Sequence, residues 1–101
     1  MILIISTIHK KENAVKIGKG LLKERLIACY NLFPVESAYW WKGKLLEENE
    51  ALILLKTRAS NFEKVERYIK DNSGYEVPEV IAVAPEKVNL SYLKWVDEET
   101  E

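Results

Sequence analysis

Three stretches of the chain, ILII at residues 2–5, ALILL at 51–55 and VIAVA at 80–84, are apolar at consecutive positions. Each has the length of a strand, and in a strand neighbouring side chains point to opposite faces of the sheet. A strand with one wet face alternates apolar and polar residues, so a run without alternation calls for cover on both faces. A chain of 101 residues forms one domain with a single two-layer core. Its helices can cover one face of a sheet, and the second face then needs another partner.

The adjacent pair Trp40 and Trp41 poses the same requirement inside the stretch ESAYWWKGK, which otherwise reads as a strand. Opposite faces mean that the two rings cannot share a core. Burying one Trp removes roughly 150–250 Å² from water, worth about 4–6 kcal/mol as an upper bound. The expectation is that one ring serves the subunit's own core and the other an intersubunit contact. The plainer alternative leaves one ring half-exposed on an edge strand.

Residues 2–8 read as a first, central strand. From Asn13 to Arg25 the positions Ala14, Ile17, Leu21 and Leu22 form one helical stripe, and Gly18 and Gly20 within it suggest close packing against the sheet. Ala28–Lys42 is extended, with Pro34 marking an edge strand or a bulge. Gly43 bends the chain, LLEENE reads as a charged turn, and Ala51–Thr57 as a third strand. Ser60 and Glu63 fit the S-x-x-E capping box of a second helix carrying Phe62, Val65 and Ile69. The NSG at 72–74 supplies its stop. Val80–Ala84 is a fourth strand, and Asn89 caps a short last helix whose acidic end, DEETE, is expected to fray against the helix dipole. The βαββαβ order predicts an α+β, ferredoxin-like antiparallel sandwich with an extra C-terminal helix, as a single domain over residues 1–101.

Fifteen basic and sixteen acidic residues give a net charge of -1. That balance argues against a nucleic-acid partner or a polybasic membrane patch. RNA-recognition modules share the βαββαβ order but stack bases on aromatics of the first and third strands, where ILIISTI and ALILLKT carry none. The opening MILIIST lacks a preceding basic region and is too short for a signal core or a membrane span. One cysteine, Cys29, excludes an internal disulfide and suits a reducing compartment. The expected location is cytoplasmic. The lone His9, flanked by Lys10 and Lys11, offers no Ser-His-Asp set, and IGKGLLK lacks the G-x-x-x-x-G-K-[ST] of a phosphate loop. An acylphosphatase-type arginine is missing after the first strand, where HKKEN stands. No enzymatic activity is expected.

LLKERLIACYNL, YWWKGK at 39–44, LLKT at 54–57, YEVPEVIA at 75–82 and YLKW at 92–95 together resemble the CutA divalent-cation tolerance family. The resemblance runs in order along nearly the whole chain. It implies a ferredoxin-like subunit in a homotrimer built through long strand pairs, similar to nitrogen-regulatory signalling trimers; Trp40 and Trp41 are the candidates for its interface on the burial argument above. It also implies a cytoplasmic role in tolerance of metals such as copper. One departure stands out: the family commonly carries His-Pro before Tyr-Glu-Val-Pro, and this chain has Ser73-Gly74.

Copper or another divalent cation is a candidate ligand, with none obligatory. The imidazole and thiolate donors such a metal prefers are limited to His9 and Cys29. Each also has a plainer reading, Cys29 as a small buried hydrophobe and His9 as a solvated loop residue. Carboxylate-assisted binding through Glu36, Glu76 or Glu79 across subunits is a further option. The resemblance gathers Tyr39, Trp41, Lys56, Tyr75 and Glu76 near an intersubunit cleft. There Lys56 would suit a small anionic or polar ligand; alternatively, Lys56 and Glu76 form a structural pair. A regulatory sensor of a small metabolite is therefore the second reading, and a scaffold that binds nothing the third.

Overall fold

The computed structural model describes residues Met1–Glu101. The elements are β1 (Ile2–His9), α1 (Lys11–Lys23), β2 (Cys29–Trp41), β3 (Lys44–Thr57), a 3-10 turn (Ala59–Asn61), α2 (Phe62–Ser73), β4 (Ile81–Val83) and α3 (Leu90–Glu99). One antiparallel sheet runs β2-β3-β1-β4. This is the expected α+β order, with β1 central and β2 on an edge.

The helices cover one face. Ile4, Ile8, Ile53 and Leu55 point from the sheet into a buried layer with Ala14, Ile17 and Leu21 of α1 and Val65 and Ile69 of α2. Burial along β1 alternates strictly although its sequence does not. The opposite face carries Leu3, Ile5, Leu52 and Leu54, all half-buried, with Phe33 46% and Ile81 50% exposed. Two polar groups inside the helix-side layer are satisfied: the Ser6 hydroxyl donates to the Glu79 carbonyl at 2.6 Å and the Thr57 hydroxyl to the Leu26 carbonyl at 2.6 Å. Gly18 is a close approach, since a Cβ there would lie 2.6 Å from the Tyr30 ring of β2. Gly20 instead meets the Tyr68 hydroxyl of α2 rather than the sheet.

The β2–β3 hairpin departs from expectation. LLEENE is strand, because the turn is the two-residue Lys42-Gly43, with φ of 49° and 78°. Positive φ at both positions is the hairpin turn whose twist matches the flanking strands. Pairing then runs without a bulge from Trp41↔Lys44 to Cys29↔Lys56, passing Pro34↔Ala51; the edge position of β2 tolerates the proline. β1 pairs only as far as His9↔Glu50, so the distal hairpin has no third strand beside it. Neither tryptophan enters the subunit's core, contrary to expectation. Trp40 keeps the parity of Tyr30 and Leu32, which pack on the core, but lies beyond the helices and is 73% exposed opposite Leu45. Trp41 is half-buried on the other face.

Three expectations at helix ends also change. Ser60 falls in the 3-10 turn, α2 starts after Asn61, and no side-chain cap bond forms there. Asn89 stands at the cap position of α3 without making that bond. The acidic tail is held rather than frayed. Arg25 reaches Glu99 at 2.7 Å, and Arg58 donates to the Thr100 hydroxyl and carbonyl, each at 3.0 Å, and to the Asp97 carbonyl. These guanidinium donors satisfy helix-end carbonyls that α3 leaves open. Arg58→Ala is expected to raise amide exchange across residues 96–101 by about tenfold or more while leaving β1 protected; hydrogen exchange read by mass spectrometry checks it.

Candidate functional site

Where β1 ends and the hairpin continues alone, the segment between α2 and β4 passes alongside and a groove of about 720 Å³ opens. Its floor includes Thr7 and Glu50, one wall is Tyr39, Trp41 and Leu46 of the hairpin, and the other is Tyr75, Val77 and Glu79. Gly74, with φ of 80°, ends α2 and starts this second wall. Tyr39 and Trp41 share strand parity with Val35 and Ser37, and Ser37 pairs with Glu48 and Val35 with Glu50. Thus Glu48 and Glu50 stand on the same sheet face as the two rings.

Two phenol–carboxylate bonds organise the groove. The Tyr39 hydroxyl donates to Glu48 Oε1 at 2.5 Å, and the Tyr75 hydroxyl donates to Glu50 Oε2. Each bond uses the neutral phenol, so ionisation is disfavoured. Tyr39 is pushed up to about 12, first by the bond to Glu48 and then by burial. Tyr75 is raised further, first by burial and then by its bond to Glu50. Burial and the Glu50 charge also raise Glu79. With both phenols holding their protons firmly at neutral pH, neither is a general base.

Of the residues expected together, Tyr39, Trp41, Tyr75 and Glu76 line the groove. Lys56 does not. It lies six residues from Glu50 along β3, about 20 Å away, where its ammonium donates to Asn31 and sits 3.7 Å from the Cys29 sulfur. Glu76 pairs with Lys42 at 3.6 Å, both well exposed, instead of with Lys56. Cys29 is half-buried beside Lys56, and His9 is at the groove end of β1, its Nδ1 4.0 Å from Glu48. The register Lys56↔Leu3 and Glu50↔His9 separates Cys29 from His9 by about 20 Å along the sheet. Within one subunit they cannot share an ion, and no three His, Cys, Asp or Glu side chains converge as ligands. Glu48 and Glu50 were hidden in the sequence by reading LLEENE as a turn; Lys42-Gly43 as the hairpin turn would have placed both.

Residues 2–99 match the family described as CutA1 divalent ion tolerance protein. The chain belongs to the CutA family. The divalent-cation tolerance protein CutA of Pyrococcus horikoshii is 45% identical over 100 residues, covering 99% of this chain and 98% of that one. The crystal structure of CutA1 from the same organism superposes with a TM-score of 0.95 at 44% identity, covering 100% of this chain and 99% of that one. The structure of the periplasmic divalent cation tolerance protein CutA from Archaeoglobus fulgidus gives 0.97 at 35% identity, with 100% of both chains covered. The PII-like protein CutA from a Nostoc species gives 0.92 at 28%, covering 100% of this chain and 98% of that one. The CutA fold is therefore shared across the full chain, and no helix here is long and apolar enough to cross a membrane.

The Tyr39 bond predicts an alkaline transition. A phenol raised in the folded state from 10.0 to about 12 contributes stability that is complete below the unfolded value and is lost as pH rises through the folded one. Phenolate absorbance, taken as wild type minus Tyr39→Phe, is expected to titrate near 12, and Glu48→Gln is expected to bring that step back toward 10.

Proposed function

We propose that this CutA-family chain works as a homotrimer in divalent-cation tolerance, as a non-enzymatic cytoplasmic module that binds cations weakly or signals through its groove. The observation that carries the assembly is the unsupported half of the hairpin. A lone two-stranded ribbon is marginal in water, yet β2 and β3 continue past the last β1 pair with Trp40 and Leu45, 73% and 59% exposed, opposite each other at the far end. The open sheet face adds Phe33, Ile81 and Val83, so the apolar surface is continuous enough to call for a partner. A second copy of the same surface supplies one, as the resemblance implies.

The metal role rests on family membership and on the acidic groove. Weak binding fits a site whose ligands do not converge within one subunit and are completed by a neighbouring copy. The cytoplasmic assignment rests on the single unpaired thiol, and the absence of a nucleic-acid partner on the balanced charge. A metabolite sensor is the second reading. It is favoured by the groove's volume, which falls in the range of small-molecule sites, and by the likeness to a PII-like relative.

Equilibrium sedimentation is expected to give three 11.7 kDa chains, and Phe33→Asp or Trp40→Asp to shift the population toward single chains. A wild-type monomer at micromolar concentration, or an intact trimer in both variants, would sink the assembly. In calorimetric titration of the trimer with copper, the expected outcome is weak uptake that survives both Cys29→Ser and His9→Ala. Uptake abolished by either change would centre the metal on that residue instead.

A further inference from the structure

Within one subunit the groove's charge is one-sided. Glu36, Glu50, Glu76 and Glu79 line it, and no lysine, arginine or histidine does. Lys42 holds Glu76 at the exposed rim, and the basic group beside Glu50 is its cross-strand neighbour His9, 4.0 Å from Glu48 and outside the lining. Glu50 is the telling residue. It is only 9% exposed and takes part in none of the chain's four ion pairs. Its Oε2 accepts the Tyr75 hydroxyl, while Oε1 accepts no hydrogen bond within the chain and remains open to the groove. That open oxygen is free to accept from a cationic N–H that enters beside it.

The form of that cation follows from the other walls. A bare divalent ion needs several oxygens converging at about 2.0–2.6 Å, and the groove's carboxylates are distributed around it instead of meeting at a point. The remaining lining is aromatic: Tyr39, Trp41 and Tyr75. Both phenol hydrogens are committed to Glu48 and Glu50, so these residues offer ring faces and oxygen lone pairs, which attract N–H and C–H groups of a cation and repel an anion. Within the subunit the lysine expected here, Lys56, lies at the far end of the sheet.

We infer that this groove binds an organic cation of the alkyl polyamine class, one ammonium group against Glu50 Oε1, its methylene segments along Trp41 and Tyr39, and a second ammonium group toward Glu79 or Glu76. The inference rests on the groove being a ligand site, as proposed above, and names the ligand's chemistry.

Hexane-1,6-diamine, its neutral counterpart hexane-1,6-diol, and copper serve as probes, titrated into the assembled protein by calorimetry with tryptophan emission as a second readout. The diamine is expected to bind and shift the emission, and Trp41→Phe to abolish that shift. The diol is expected not to bind. Glu50→Gln preserves an acceptor for Tyr75 and is expected to weaken diamine binding by about tenfold or more, and Lys56→Gln to leave it unchanged. Should Glu50→Gln fail to fold, the rim variant Glu76→Gln is expected to weaken binding about two- to threefold. Equal binding of diol and diamine, or diamine affinity indifferent to both glutamate variants, overturns the inference. Copper binding that depends on Glu50 while the diamine fails to bind rejects the polyamine and keeps the groove as a metal site. Failure of both probes on an intact trimer rejects the groove as a ligand site altogether.

Discussion

The unbroken pairing of β2 with β3 is the constraint on which the rest of the molecule depends. A two-residue turn with both residues at positive φ starts it, and thirteen successive pairs follow from Trp41↔Lys44 to Cys29↔Lys56. Because side chains alternate with a period of two, one slipped residue would move every side chain of β2 to the other face. Tyr39 and Trp41 would leave the groove, and Tyr30 and Leu32 would leave the core. The same register that buries the helix side therefore assembles the groove.

Within the groove, geometry and electrostatics reinforce each other. The sheet sets Glu48 and Glu50 beside the rings, and the segment after α2 brings in Tyr75 and Glu79. Each phenol then fixes one carboxylate in orientation at the expense of its own acidity. The result is a set of immobilised acceptors beside a lining that, within one subunit, holds no lysine, arginine or histidine, and a site unsuited to proton abstraction by either tyrosine.

The architecture was legible in the sequence because its signals were local and redundant: apolar strand runs, a helical stripe from Ala14 to Leu21, and the glycine stop at Gly74. The apolar character of the second sheet face was legible as well, since ILII and ALILL have no polar side. What escaped was decided by the third dimension. LLEENE has turn-like composition, yet its backbone is strand because it pairs with residues 36–41. Trp40 has core parity but projects beyond the point where α1 and α2 end their cover, which no periodicity reports. Within one subunit the register sets Lys56 six positions from Glu50, the residue that Tyr75 touches, a separation that spacing in the sequence does not report. The DEETE tail looked unfavourable because its cations, Arg25 and Arg58, come from distant sequence.

The free half of the hairpin is also a lever arm. From Glu50, the last β3 residue flanked on both sides, to the Trp40↔Leu45 pair is about 17 Å of strand, so pivoting the root by about 5° swings the tip by about 1.5 Å. Small displacements near the fulcrum are thus magnified at the far end of the arm, where the largest exposed ring of the subunit stands.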